Sequence, residues 1–417
     1  MPSIYSNHLL DNDNNYQRAK PLNDNGILPY DSNLDYAQAN GTLVKGSNNN
    51  VYQAMQDNGP SSAVVDPVGD NSGVWELAYF SPKNPQPKNY IVNSDMAVSQ
   101  ENGDGPITIP SGGTLYGRDQ FSTAQSSGVT GAVTFEKGSI GNFDSYKITA
   151  TSAISGITGG NEAARIAQPI ESASVKVLNG ETITISFKAR TNWSGNLSVN
   201  LGNSDLTRSY AEIYPVVSGV NDVTVTIPAE SNTFGTGGNG LGAVLWVGLN
   251  NEGSFAAAST GSWLSGDLRT STSATQWAKT TGNFVEITEV QLVEGSVAPK
   301  YQPYTDAVYN SFRYWRKSYP DGVPPGTIVN NGQITYTASG TAAEQYTVGL
   351  PESMRSTPVI TLYSPITGAT SRVTREFGAA DIPASPNVIS EKNFSIVVSP
   401  TVSSSRYSFH YVANSRL

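Results

Sequence analysis

Alternation of apolar and polar residues with a period of two dominates the middle of this sequence. In ETITISFKAR (181–190), Ile183, Ile185, Phe187 and Ala189 fall on one face and Thr182, Thr184, Ser186 and Lys188 on the other, the pattern of a half-buried strand. Val223, Val225 and Ile227 repeat it before Pro228. AVLWVGL (243–249) is apolar on both faces and too short for a free-standing helix, which predicts a strand covered on both sides. FVEITEVQL (284–292) predicts a further strand with Phe284, Thr288, Val290 and Leu292 on one face. Several short strands across 96–304, with no helices between them, predict a β-sandwich or jelly roll.

The flanks read differently. Residues 36–80 carry Leu43–Val44, Val51–Tyr52, Val64–Val65 and Trp75, separated by Gly, Asn, Asp and Pro clusters. This predicts a small β module with Trp75 as its apolar anchor. SPKNPQPKNY (81–90) holds three prolines, and 81–95 reads as a semi-rigid linker. One helix is predicted over Asp306–Lys317, with Thr305 as N-cap and Val308, Phe312 and Trp315 at helical spacing; with its connector it fills 305–325. Strands return over 326–417, at Gln333–Thr337, Pro358–Ser364, Phe394–Val398 and Arg406–Val412. No fixed-period repeat is found, which argues against a solenoid or β-helix. The expected fold class is all-β and multidomain.

The first fifty residues hold eleven Asn and five Asp against three Lys or Arg. Residues 1–35 read as a polar arm that orders on a partner, a merely disordered terminus being the competing reading.

Composition narrows the chemistry. The 417 residues include 40 Gly, 24 Pro and only 14% charged residues, a mix suited to turns and short strands. A net charge of −9 with no basic run gives nucleic acid no electrostatic footprint. With no cysteine, disulfides, thiolate metal sites and thiol nucleophiles are excluded. His8 and His410 are the only histidines, so a His-pair metal site is not expected. No Sec-type leader is visible, and the longest apolar stretch, Ala243–Leu249, is far short of a membrane-spanning helix. No membrane insertion, cofactor or metal is expected.

GTGGNG (235–240) satisfies a dinucleotide-loop string, but a β-type run follows where a helix is required, so it reads as a loop. Asp11, Asp13 and Asn15 imitate a calcium loop, yet Tyr16 and Leu22 occupy its Gly and Glu positions. Glu162, Glu171, Glu286 and Glu289 offer no recognisable acid pair and read as solvated strand faces and loops. No G-x-S-x-G elbow is present. Tryptophans are the more informative group. Trp246 sits in an apolar strand and reads as core, whereas Trp193, Trp263 and Trp277 lie in polar, turn-rich surroundings. Those three are the candidate carbohydrate-binding residues, against burial under loops or in an interface. Arg313, Arg316 and Lys317 read as the polar face and basic end of the short helix.

ITEVQLVEGSVAPKYQPYTDAVYNSFRYWRKSY (287–319) resembles a pattern of tailed-bacteriophage tail fibres: a last jelly-roll strand, a Gln-Leu-Glu-x-Gly-Ser-x-Ala stretch, a Pro/Tyr connector and a short helix. Here Val293 interrupts Gln-Leu-Glu. TLYGRDQFS (114–122) and ETITISFKAR resemble the opening and an internal strand of the same domain, and LPESMRSTPVITLYSPITG (350–368) with FHYVANSRL (409–417) resembles a small terminal β domain. Residues 36–77 are similar to a small phage-tail module distantly like chitin-binding modules. The resemblance implies a non-enzymatic, extended homotrimer in the virion, docked on other tail or particle proteins through its N-terminal arm and attaching to a host-surface glycan. A non-adhesive virion component (head fibre, decoration or connector) and a glycan-degrading tailspike are the alternatives.

Overall fold

The computed structural model describes residues 87–417 apart from 232, 304–306, 377, 379 and 400, together with shorter stretches between residues 28 and 79. His8, Asp11, Asp13 and Asn15, most of the arm, Val64, and residues 81–86 of the linker lie outside the described residues. The chain divides into two units: Met1–Lys88 with Glu294–Tyr301, and Asn89–Val293 with Gln302–Leu417.

In the first unit, Leu28–Pro29, Leu43–Lys45, Val51–Ala54 and Trp75–Tyr79 form one four-stranded sheet in that order. Leu28 pairs in parallel with Val44, so the stretch assigned to the arm supplies the first strand of the module. Trp75 is buried with Val44, Tyr52, Ala54 and Val74. Its indole N–H donates to the Val65 carbonyl at 2.7 Å, and Tyr30 meets the ring edge-on at 5.8 Å. A large ring whose single polar atom is satisfied closes a core that the short strands alone leave open.

The second unit contains the sandwich. Its six-stranded sheet runs Gly219–Ile227, Ile183–Thr191, Phe284–Glu294, Phe143–Ser155, Thr130–Ile140, Ile107–Thr108. The seven-stranded sheet runs Ser262–Ser265, Arg208–Val216, Gly195–Gly202, Leu241–Val247, Ile166–Glu171, Phe121–Ala124, Thr114–Arg118. This is a jelly-roll-type β-sandwich in a nearly all-β chain, as the alternation predicts. Ile183, Ile185, Phe187 and Ala189 meet Val223, Val225 and Ile227 in one core with Ala243, Leu245 and Val247 of the facing sheet. Gly141, at φ +59°, opens the two-residue turn between the paired Ile140 and Phe143, a position that a side chain occupies only with strain.

The strand at 284–294 departs from simple alternation. Val285 and Ile287 enter the core, and so do Val290 and Leu292, a switch from odd to even numbering. Glu289 sits at the switch with φ +54°, the left-handed conformation of a β-bulge. The single-face reading of Phe284, Thr288, Val290 and Leu292 is therefore corrected: one extra residue rotates the second half of the strand.

From Asn89 onward the backbone is built into the sandwich rather than acting as linker. Asn89 donates its Nδ2 to the Val290 carbonyl and accepts from the Ile91 and Leu292 amides, and the Tyr90 amide donates to Leu292.

A second core joins Tyr336, Leu362, Val373, Phe394, Ile396, Tyr407 and Phe409. Arg406–Asn414 is its hub, hydrogen-bonded to Trp315–Lys317, Ile334–Thr337, Val359–Tyr363 and Arg372–Arg375. The predicted helix is shortened by this hub. Only Ala307–Phe312 is helical, Thr305 and Asp306 lie outside the described residues, and Trp315–Lys317 is a strand opposite Asn414–Val412. Six residues of helix gain little from propensity, and sheet pairing that buries Trp315 overrides it. Arg316 and Lys317 are accordingly buried, not spread over a solvated helix face.

Candidate functional site: a cleft on the seven-stranded sheet

Alternation that sends Ala243, Leu245 and Val247 into the core sends Val244 and Trp246 to the opposite face of the same strand. Ala167 follows the same logic on the neighbouring strand and packs with Val244, Trp246 and Leu249. Gly202 makes room for this arrangement. A Cβ at Gly202 would stand 2.6 Å from the Trp246 ring, so only a glycine lets the indole lie across that strand. The result is a cleft of about 500 Å³ with an apolar side of Ala167, Pro169, Leu206, Leu241, Val244 and Trp246. Thr114, Tyr116, Ser122, Glu162, Arg165 and Arg269 supply its polar groups, and Leu417 also lines it.

The polar groups are held by one another. Glu162 is buried and accepts from Arg269 Nη1 at 3.0 Å and from Arg165 Nη1. Arg269 also donates through Nε and Nη2 to Asp267 at 3.0 and 2.5 Å. Its guanidinium stacks 3.9 Å from the Phe255 ring centroid and 5.6 Å from that of Trp246. Paired on its edge and stacked on its faces, Arg269 is fixed, and it fixes Trp246. Burial and the carboxylates around it have opposite effects on Arg269, and the net shift is upward. For Arg165 burial dominates and pushes its pKa down, with Arg269 adding to that and Glu162 opposing it. Arg165 Nε has no acceptor. Behind the lining residue Tyr116 stands a further guanidinium: Arg416 lies 3.8 Å from the centroid of that ring and pairs with Glu101.

The three tryptophans singled out from sequence are elsewhere. Trp193 and Trp277 are buried, with ring N–H groups donating to the carbonyls of Phe284 (2.9 Å) and Gly248 (2.7 Å). Trp263 is half-buried, bonded to the Pro228 carbonyl at 3.1 Å and set edge-on to Tyr210 and Phe234. None of them lines the cleft. Trp193 and Trp277 sit in turn-rich segments that nonetheless bury their rings, whereas Trp263 lies in the edge strand Ser262–Ser265, so polar sequence context is no measure of exposure here. Trp246 is core, as its sequence predicts, 2% exposed and packed with Ala167, Val244 and Leu249; at an even position of AVLWVGL it is also the tryptophan that backs the cleft.

The acidic residues also depart from their expected solvated setting. Glu171 is buried and accepts from Arg313 at 2.6 and 2.9 Å and from the Tyr314 hydroxyl at 3.1 Å. Glu286 is fully buried, bonded to Arg190 at 2.5 Å and to Ser145. Glu289 is half-buried at the bulge, and burial raises its pKa. Glu162 is the single acidic side chain among the cleft-lining residues. The GTGGNG stretch is a loop between two strands, tied by the Ser172 and Ala173 amides to Gly240 and Gly238. Among the described residues, no group of three His, Cys, Asp or Glu side chains could hold a metal, and no helix is long and apolar enough to cross a membrane.

No family model and no curated protein matches the sequence. Among solved structures, the chain is similar to the enzymatically active domain of tailspike protein 4 of bacteriophage CBA120, with 13% identity over 50% of this chain and 21% of that one, at a TM-score of 0.27. The chain thus spans about a fifth of that tailspike structure. A family 11 carbohydrate-binding module of Clostridium thermocellum, in complex with a mixed-linked tetrasaccharide, matches at 10% identity, 44% and 96% coverage and TM-score 0.25. TmCBM61 in complex with galactotriose matches at 7% identity, 50% and 99% coverage and TM-score 0.21. The structural neighbours of this chain thus include a phage tailspike domain and carbohydrate-binding modules.

Proposed function

We propose that this chain is an attachment protein of a tailed-bacteriophage virion, which holds a host-surface glycan in the cleft of its seven-stranded sheet and does not cleave it. The cleft carries this reading. A volume of about 500 Å³, an apolar side backed by the buried Trp246 ring, and fixed donors and acceptors beside it suit a sugar, which offers C–H faces and hydroxyls together. Retention without cleavage is supported by the acid count. Glycoside hydrolysis uses two carboxyl groups on either side of the scissile bond, and the cleft lining offers Glu162 alone, already engaged by two arginines. The virion assignment rests on the tail-fibre resemblance of 287–319 and 350–368, and it carries with it a homotrimer docked through the N-terminal residues.

The test is binding of the labelled full chain to host cells and to their isolated surface polysaccharide, with Trp246→Ala and Tyr116→Ala as cleft variants. Saturable binding that both substitutions weaken, with no release of reducing sugar, supports the reading. Sugar release abolished by Glu162→Gln would make the protein a tailspike-type enzyme. Absence of binding by protein that stays on particles would make it a structural component. Light scattering at three times the 44.2 kDa chain mass supports the trimer, and a monomer removes it.

A further inference from the structure

We infer that the cleft selects a carboxylate-bearing sugar, a uronic acid, through Arg165; this rests on the glycan reading above. The two arginines of the cleft have unequal claims on the available carboxylates. Arg269 has every one of its three guanidinium nitrogens engaged by Asp267 or Glu162 and has aromatic rings against it, so it is the more fully committed of the two. Arg165 shares Glu162 with Arg269 and has no carboxylate of its own among its hydrogen bonds. Its Nε–H is buried without an acceptor, although the residue lines the cleft.

A guanidinium whose side chain is only 16% exposed is short of both hydration and counter-charge. The downward pull of burial on its pKa expresses the same deficit. Of the groups a sugar can present, a hydroxyl satisfies one N–H, whereas a carboxylate supplies charge as well and matches the guanidinium edge with two oxygens. Tyr116 and Thr114 line the same cleft and can meet the hydroxyls of that sugar.

The experiment is calorimetric titration of the full chain with uronate oligosaccharides prepared from alginate, pectate and hyaluronate, each beside its carboxyl-reduced neutral form, at low and high salt. At least one uronate should bind roughly tenfold or more tighter than its reduced form, with the preference shrinking as salt rises. Arg165→Met should erase the preference, so that this variant binds the uronate no more tightly than the reduced form. Glu162→Gln should act in the opposite direction, because it releases Arg165 from its shared partner, and the uronate preference should grow. Opposite signs from the two sides of one ion pair are not produced by a general loss of structure. Equal binding of both forms, still abolished by Trp246→Ala, would overturn the carboxylate inference while leaving the glycan reading standing. Binding of none of the sugars, together with no binding to host polysaccharide, would overturn both.

Discussion

The indole rings of Trp193 and Trp277 lie parallel, their centroids 6.5 Å apart and their planes within 3°. Each spends its ring N–H on a backbone carbonyl, so the pair ties the loop after the Ile183–Thr191 strand to the segment that leads into Phe284. Trp277→Ala should cost about 3–5 kcal/mol of unfolding free energy, as expected for a large core side chain. Chemical denaturation measures it. Glycan binding at temperatures where the variant is folded should stay close to wild type, because neither ring lines the cleft.

Gly202 provides the converse case. A methyl group there meets the Trp246 ring at 2.6 Å, and the ring must rotate into the cleft or the strand must shift. Gly202→Ala should weaken glycan binding on the order of tenfold while lowering stability by about 1–3 kcal/mol, the ordinary cost of overpacking. Unchanged affinity would remove Trp246 from the binding surface.

Glu171 ends a sandwich strand, whereas its partners Arg313 and Tyr314 follow the short helix. Removing Arg313 leaves a buried carboxylate with only a phenol for company. Arg313→Met should therefore destabilise the protein by about 3 kcal/mol, and Arg313→Met with Glu171→Leu should recover part of the loss. Denaturant midpoints of the single and double variants decide it.

His410 gives the protein a predictable acid limb. Its ring stacks on Tyr319 with centroids 3.9 Å apart, and Nε2 lies 2.8 Å from the Val329 carbonyl. A carbonyl only accepts, so Nε2 carries the proton and Nδ1 accepts from the Ser318 hydroxyl. Burial lowers the pKa of this imidazole, with the Val329 bond pulling weakly the other way. The unfolded chain therefore binds more protons just below the ordinary value of about 6.5, and the contribution of His410 is complete above that value and falls as pH drops through the lowered folded value. Melting temperature should decline over this window, and His410→Asn should flatten that part of the profile.

Strand alternation was legible wherever a strand is uninterrupted, as in Ile183–Ala189 and Val223–Ile227. It failed at Glu289, because a bulge is a property of paired backbones and leaves no periodic mark. The helix was over-extended because Trp315 has the right spacing for either state, and the choice was made by a strand about ninety residues later. The cleft was hidden for a related reason. Glu162, Arg165 and Arg269 are common polar residues separated by up to 107 positions, and only the fold brings them together. Counting exposed-looking tryptophans pointed away from it, since a loop-rich neighbourhood describes what covers a ring as well as what bares one.

Dependence of four strands on Arg406–Asn414 also sets a timetable. Trp315–Lys317, Ile334–Thr337, Val359–Tyr363 and Arg372–Arg375 all leave the ribosome before the strand that pairs with them. Until it emerges they present open edges whose backbone groups are free to join another chain. Completion of this sheet is therefore a late event, and a nascent chain stalled before residue 406 exposes several of those edges together.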